Sequence, residues 1–213
     1  MSEIHLKNKA DLKVVMVGDA SVGKTCLVLR YIDRQFQESV STIGAAFVLK
    51  SWGYYNIAIW DTAGGEKYAG LSTFYYRNAS AAVLVFDIFD RKSFETLLQR
   101  YIPILNNVSS AKLKVVVGTK RDLLKSRERR VTVEEGINLA KSSNPHLDFT
   151  NMRVPYFETS SKTGTSVDDM FEYVFEHFFS DKGSHPRPQN TKIDSIAISD
   201  KIEKRQSTFV CCS

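Results

Sequence analysis

The chain has 213 residues, 43% hydrophobic and 25% charged, the balance of a soluble globular domain with an extension. Its 29 Lys and Arg against 24 Asp and Glu leave a net charge of +5, too mild and too dispersed to mark a nucleic-acid partner. No apolar run approaches the ~18 residues of a membrane span, residues 1–7 lack a signal-peptide core, and Ser2 stands where N-myristoylation requires glycine.

Leu12 to Val17 reads as a buried strand and Cys26 to Ile32 as a helix. Between them, Gly18-Asp19-Ala20-Ser21-Val22-Gly23-Lys24-Thr25 fits the phosphate-loop pattern G-x-x-x-x-G-K-[ST] without a mismatch. A triphosphate crowds negative charge, and backbone N–H groups can surround it only where no Cβ intrudes. Gly18 and Gly23 therefore bracket the loop, and the positive end of the following helix faces the phosphates. Lys24 is expected to reach the β- and γ-phosphates, and the Thr25 hydroxyl to ligate Mg²⁺. Thr42, on the loop that follows, offers a hydroxyl that completes the Mg²⁺ shell when a γ-phosphate draws the loop in.

Ala46 to Trp52 and Tyr54 to Trp60 flank Gly53 and read as a hairpin. Asp61-Thr62-Ala63-Gly64 comes next. Asp61 can hold Mg²⁺ through water, and the Gly64 N–H can meet a γ-phosphate oxygen. Ala81 to Phe86 and Leu113 to Gly118 are apolar on both faces, as interior parallel strands are, and Ser93 to Val108 reads as a helix between them. Thr119-Lys120-Arg121-Asp122 follows the second of these strands. The Asp122 carboxylate matches the adjacent N1–H and N2–H₂ donors of guanine, which adenine lacks, and the Lys120 stem can pack along the base.

Lys120 to Arg130 is the densest basic cluster, and its second half reads as a solvated loop. Val133 to Lys141 reads as a short helix and Val154 to Thr159 as a last strand. After it, the Ser161 N–H is placed to donate to guanine O6. Val167, Met170, Phe171, Val174, Phe175 and Phe178 recur at helical spacing, with Ser166 and Asp169 as the expected capping box. The alternation is α/β, a mostly parallel sheet with helices on both faces, and its ligand belongs at the carboxyl ends of the strands. Three cysteines are poor material for a disulfide framework and suit a reducing compartment. From Asp181 the pattern stops, and 181–213 reads as a flexible tail.

The ordered motifs GDASVGKT, STIG, WDTAG, TKRD and ETSSK resemble those of the Ras-like small GTPases over most of residues 12–180. IGAAFVLK, YNIAIWDTAG, FYYRNASA, LVFDIFDRKSF and the terminal Cys211-Cys212-Ser213 resemble the Rab branch, most closely its subgroup numbered twenty. The resemblance implies a phosphate-loop G domain over 12–180 with a six-stranded sheet, a short extension over 1–11, and a tail carrying the prenylation signal. It implies GTP or GDP with Mg²⁺, held by Asp19, Ala20, Ser21, Val22, Gly23, Lys24, Thr25, Cys26, Phe36, Thr42, Asp61, Gly64, Thr119, Lys120, Asp122, Ser160, Ser161 and Lys162. Metal ligation falls to Thr25, Thr42 and Asp61, catalysis to Lys24, Thr42 and Gly64, and the effector-facing aromatics are Phe47, Trp60 and Tyr75.

A monomer is implied, cycling between cytosol and the cytoplasmic face of internal membranes (endosome or phagosome). Its partners would be an exchange factor, an activating protein, an escort protein, a dissociation inhibitor and effectors. Double geranylgeranylation of Cys211 and Cys212 is implied, and two lipids anchor stably where one does not. The sequence departs from the family at several places. Gly65 replaces the glutamine that orients the attacking water, which predicts slow intrinsic hydrolysis. Thr119 replaces an asparagine and is expected to lose a tie to the phosphate loop. Ala46 replaces a frequent acidic residue that carrier proteins meet. Two other readings stand beside the switch. One is a scaffold that stays GTP-loaded. The other is a phosphate-loop kinase or ATPase, which Asp122 and ETSSK oppose.

Overall fold

The computed structural model describes residues 10–37, 42–64, 74–109 and 111–179. Expectations at residues 39–41, at Gly65, over 1–9 and for the tail with Cys211 and Cys212 lie outside the described residues.

Strands β1 (Leu12–Val17), β2 (Ala45–Trp52), β3 (Tyr55–Thr62), β4 (Ala81–Asp87), β5 (Leu113–Thr119) and β6 (Tyr156–Glu158) form one sheet in the order β2-β3-β1-β4-β5-β6. Only β2 runs antiparallel, to β3; its two-residue turn places Gly53 at φ 58°, where a side chain would be strained. The other neighbours are parallel, so helices must carry the chain back between them. These are α1 (Lys24–Asp33), α2 (Arg91–Thr96), α3 (Ile102–Val108), α4 (Val133–Ser143) and α5 (Val167–Phe178).

Alternation along the strands splits the core in two. Leu12, Val14 and Met16 of β1 face α1 and α5, meeting Leu27, Tyr31, Phe171 and Phe175. Val15 and Val17 face the other way, toward Phe94, Leu97, Leu105 and Leu139. Tyr31 stacks on Phe171 at 4.3 Å between centroids. At the end of β2 remote from the strand carboxyl termini, Trp52 Nε1 donates to Glu172 at 2.9 Å, and Tyr55 stacks on Phe179 at 3.7 Å.

The helix expected over 93–108 starts at Arg91, because the Asp90 side chain accepts from the Lys92 N–H and caps it. It is also interrupted by a π turn, Leu97–Tyr101, directly before Pro103. A proline ring clashes with the carbonyl four residues back and offers no N–H to it, so a wider turn there removes the conflict. The capping box expected at Ser166 and Asp169 is not formed. Ser166 sits at φ 53° and makes no side-chain cap, and the Asp168 carboxylate pairs with Arg34 instead. The true box is on α4, where Thr132 and Glu135 bond reciprocally.

Candidate nucleotide site

The phosphate loop leaves β1 and runs tightly under β4. A Cβ on Gly18 would lie 2.2 Å from the Val85 carbonyl oxygen, so only glycine allows this approach. Gly23, at φ 99°, turns the chain into α1. Lys24 folds back over the loop and donates to the Gly18 and Asp19 carbonyls at 3.0 and 2.7 Å. Burial pulls its ammonium down to about 8, against the charges of Asp61 and Asp19. Asp19 Oδ1 accepts from the Ala20 N–H at 2.8 Å. Ser21 takes a positive φ and is exposed, whereas Val22 is buried in the core. Cys26 is half-buried in the first turn of α1.

β3 is two residues longer than its pattern suggests, which carries Asp61 and Thr62 into the sheet. Asp61 pairs in register with Met16, so it arrives beside the phosphate loop. Thr25 Oγ1 donates to Asp61 Oδ2 at 2.6 Å and lies 2.8 Å from Thr42 Oγ1, which itself reaches Asp61 Oδ2 at 3.2 Å. The other carboxylate oxygen, Oδ1, is buried and has no partner. Burial pushes this carboxyl up, opposed by the Thr25 hydrogen bond, the Lys24 charge and the Thr42 hydrogen bond. A Cβ on Gly64 would come 2.2 Å from the Ala20 nitrogen, so the chain after β3 lies against the phosphate loop.

This cluster fits a magnesium ion. Its donors are all oxygen, two hydroxyls and one carboxylate, with one buried carboxylate oxygen unpaired. Mg²⁺ is commonly held by one or two carboxylates plus substrate phosphates, not by an all-protein cage. Among the described residues no group of three or more His, Cys, Asp or Glu gathers anywhere to form such a cage.

The second half of the site stands on β5 and β6. Thr119 Oγ1 lies 2.6 Å from the Val22 carbonyl and 3.0 Å from that of Phe86. The tie to the phosphate loop that was expected to be lost at residue 119 is therefore present, because the buried hydroxyl reaches the loop directly. Lys120 adopts φ 65° and its ammonium meets Asp87 at 2.8 Å. Ser160 Oγ donates to Asp122 Oδ1 at 2.6 Å and accepts from the Thr163 N–H at 3.1 Å. Ser161 is half-buried next to this pair, and Lys162 is exposed. Phe36 is 41% exposed beyond the end of α1, and among the described residues no ring contact joins it to the site.

Three residues that the sequence does not single out brace this region. Asp87, 6% exposed at the end of β4, holds Lys120 and accepts from the Phe89 N–H. Its signal was a carboxylate ending an apolar strand, as at Asp61. Arg129 grips Glu158 in a bidentate pair at 2.5 and 2.9 Å, and the Tyr156 hydroxyl donates to the same carboxylate at 2.7 Å. Gly136 leaves room for the Tyr156 ring, since a Cβ there would lie 2.1 Å from it. Arg129 thus corrects the reading of the second half of the basic cluster as solvated. The rest of that half is solvated as expected, with Lys125, Arg127, Glu128 and Arg130 exposed, Arg127 lying over the Phe89 ring at 5.1 Å.

Phe47 of β2, Trp60 of β3 and Tyr75, in the helical turn before β4, make one aromatic cluster, with centroids 5.2 and 5.8 Å apart, and Lys13 lies 4.8 Å above Trp60. Among the described residues no helix is long and apolar enough to cross a membrane.

The sequence matches the Ras family over residues 13–180. It is 37% identical over 197 residues to the human Ras-related protein Rab-20, covering 79% of this chain and 84% of that one. It is 34% identical over 212 residues to the Ras-related protein Rab-24 of Dictyostelium discoideum, covering 97% and 99%. It is 35% identical over 164 residues to the Rab-13 of Canis lupus familiaris, covering 75% of each. With a mostly parallel six-stranded sheet, helices on both faces and a phosphate loop after the first strand, the chain belongs to the Ras family of small GTPases, in its Rab branch.

Proposed function

We propose that this chain is a membrane-traffic switch that hydrolyses GTP slowly. The observation that carries the reading is the meeting of Thr25, Thr42 and Asp61 beside Lys24, on the same sheet edge as Asp122 and Ser160. The first group suits Mg²⁺ and the phosphates, with the Gly64 N–H turned to the γ-phosphate. The backbone of 19–23 with Cys26 wraps the α- and β-phosphates. Thr25, Thr42 and Asp61 would hold the Mg²⁺, and its positive charge would offset that of the phosphates. Thr42 and Gly64 then feel whether a γ-phosphate is present, and loss of it frees both loops.

At the far end Asp122 accepts from guanine N1–H and N2–H₂, held in place by Ser160. Lys120 lies along the base, held by Asp87, while the Ser161 N–H meets O6 and Lys162 lines the rim. Phe36 is the aromatic nearest the ribose and base. Residues 12–180 form the G domain, 1–11 an extension and 181–213 the tail. Cys211 and Cys212 take geranylgeranyl groups through an escort protein. The tail carries six basic and four acidic residues, so lipid and not charge dominates attachment. Attachment through the tail would place the domain at an endosomal or phagosomal membrane. Phe47, Trp60 and Tyr75 face effectors, while an exchange factor, an activating protein and a dissociation inhibitor govern the cycle.

Slow turnover rests on Gly65, which has no side chain to orient water. The test is single-turnover phosphate release from GTP-loaded protein beside Gly65→Gln. A faster glutamine variant supports the reading, and equal rates refute it. The same residue favours the second reading, a scaffold that stays GTP-loaded. Addition of an activating protein separates the two, since a switch then releases phosphate and a locked scaffold does not.

A further inference from the structure

Neither the nucleotide nor the core accounts for most of the basic cluster between β5 and α4. Lys120 is taken by Asp87, and Arg129 by Glu158. Arg121, Lys125, Arg127 and Arg130 remain, all of them exposed. Against them stands only Glu128 within the loop, 81% exposed and 3.6 Å from Arg130; the Asp122 carboxylate is held by Ser160. Among the described residues Arg121, Lys125 and Arg127 have no carboxylate in ion-pair contact.

The backbone under these cations is fixed at both ends. The Arg121 N–H donates to the Thr159 carbonyl at 3.0 Å and opens a 3₁₀ turn, Arg121–Lys125. The Ser126 and Arg127 N–H groups both donate to the Leu123 carbonyl at 2.9 Å. Those of Arg130 and Val131 reach the Ile88 carbonyl, just past β4, at 2.9 and 3.2 Å. Arg129 holds the last turn from within, through Glu158 and the Val131 carbonyl. The Arg127 guanidinium lies flat enough on Phe89, a ring only 7% exposed, to be held in place. A solvated charge run needs no such fixing, whereas a planar fork held on an aromatic loses less freedom when it meets a carboxylate. Leu124 and Val133, 38% and 44% exposed, add apolar surface at either end of the same loop.

We propose that residues 121–133 form a docking site for an acidic protein segment, and that the site works alike in GTP- and GDP-loaded protein. Charge complementarity carries the first half. Position favours protein over lipid: the loop lies at the carboxyl ends of β4 and β5, whereas Phe179, after which the tail leaves, stacks on Tyr55 at the opposite end of the sheet. On the reading that the tail carries the lipids, the membrane faces that other end. Glu128 amid the cations weakens attraction to a uniformly anionic surface, but fixes the register of a peptide whose carboxylates avoid it. The second half follows from composition. The loop contains none of Lys24, Thr42, Asp61 and Gly64, and a ligand that meets the same surface in two states has the same affinity for both.

The test uses unlipidated full-length protein loaded with GDP, and a fluorescent hexaglutamate peptide read by anisotropy beside hexaglutamine. Hexaglutamate should bind, more weakly as salt rises, and hexaglutamine should not. Lys125→Gln with Arg127→Gln should weaken binding about three- to tenfold, the worth of two exposed ion pairs. Lys112→Gln with Arg153→Gln removes the same charge from exposed sites before β5 and β6, at the other end of the sheet, and should change nothing. Arg127→Lys keeps the charge but loses the stacked fork, and should weaken binding about twofold. Protein loaded with a non-hydrolysable GTP analogue should match the GDP form. An equal loss in both double variants overturns the proposal, since net charge alone would then explain binding. So does hexaglutamine bound as well as hexaglutamate, or a clear difference between the two nucleotide forms. Binding to phosphatidylserine vesicles that depends on Lys125 and Arg127, with hexaglutamate ignored, overturns it in favour of a lipid surface. The nucleotide arm rests on the switch reading above. Protein that retains neither nucleotide refutes that reading, while the peptide arms, run on the protein as purified, still decide the docking site.

Discussion

Glu158→Gln tests whether the brace behind the guanine loop is structural or decorative. The Glu158 carboxylate receives both Arg129 nitrogens, at 2.5 and 2.9 Å, and the Tyr156 hydroxyl at 2.7 Å, with side-chain exposures of 12% for Glu158 and 24% for Arg129. Breaking one partner of a fully buried pair costs ~3–5 kcal/mol, but water can reach Arg129 here and rehydrate it. A loss of about 2–3 kcal/mol is expected, the range of a charged hydrogen bond. For a domain of this size that lowers the melting temperature by about 5–10 °C at fixed nucleotide concentration. Arg129→Met should cost a similar amount. The double variant should cost much less than the sum, because the two changes remove one interaction.

The pH dependence gives an independent reading of the same brace. Burial alone would raise the Glu158 carboxyl, but hydrogen bonds from Arg129 and Tyr156 and the Arg129 charge hold it below the ordinary glutamate range. A carboxyl depressed in the folded state stabilises fully above its unfolded value of ~4.3 and loses that contribution as pH falls through the folded value. Calorimetric melting of wild type against Glu158→Gln should therefore show a constant gap from neutral pH down to ~5, closing at more acidic pH. A gap that persists at low pH, or strict additivity with Arg129→Met, would refute the argument.

Other perturbations reach the site directly. Asp122→Ala should remove the acceptor for the guanine donors and cut the preference for GTP over ATP, measured by competition, by on the order of a hundredfold or more. Its melting without nucleotide should change little, because Ser160 keeps the Thr163 N–H as a partner. Gly64→Ala forces a methyl against the Ala20 nitrogen, 2.2 Å away, so the chain after β3 must lift from the phosphate loop. Thermal shift by a non-hydrolysable GTP analogue should shrink in Gly64→Ala while the shift by GDP is kept; equal shrinkage of both would show a general defect.

The phosphate loop and the interior strands were legible because their signals are local. Gly18 and Gly23 are set by the backbone they permit, β4 by the apolar run Ala81 to Phe86 and β5 by Val115 to Val117. Asp87 and Arg129 were not, because each acts on a partner about thirty residues away, Lys120 and Glu158, and no local spacing links them. Ser166 had the letters of a capping box, but Asp169 is one methylene shorter than glutamate and the serine entered a left-handed turn. Pro103 was in plain view inside the expected helix, and its consequence, a π turn, follows from the missing N–H.

On the proposed reading Gly65 acts on one limb of a two-limbed cycle. The GTP-loaded fraction under excess GTP is set by the rate of nucleotide release divided by the sum of release and hydrolysis. If Gly65 slows hydrolysis and leaves release alone, Gly65→Gln should lower the GTP-loaded fraction without changing the release rate. Chromatography of nucleotide extracted from protein equilibrated with GTP reads this out: a glutamine variant as GTP-rich as wild type would mean that Gly65 does not control the cycle.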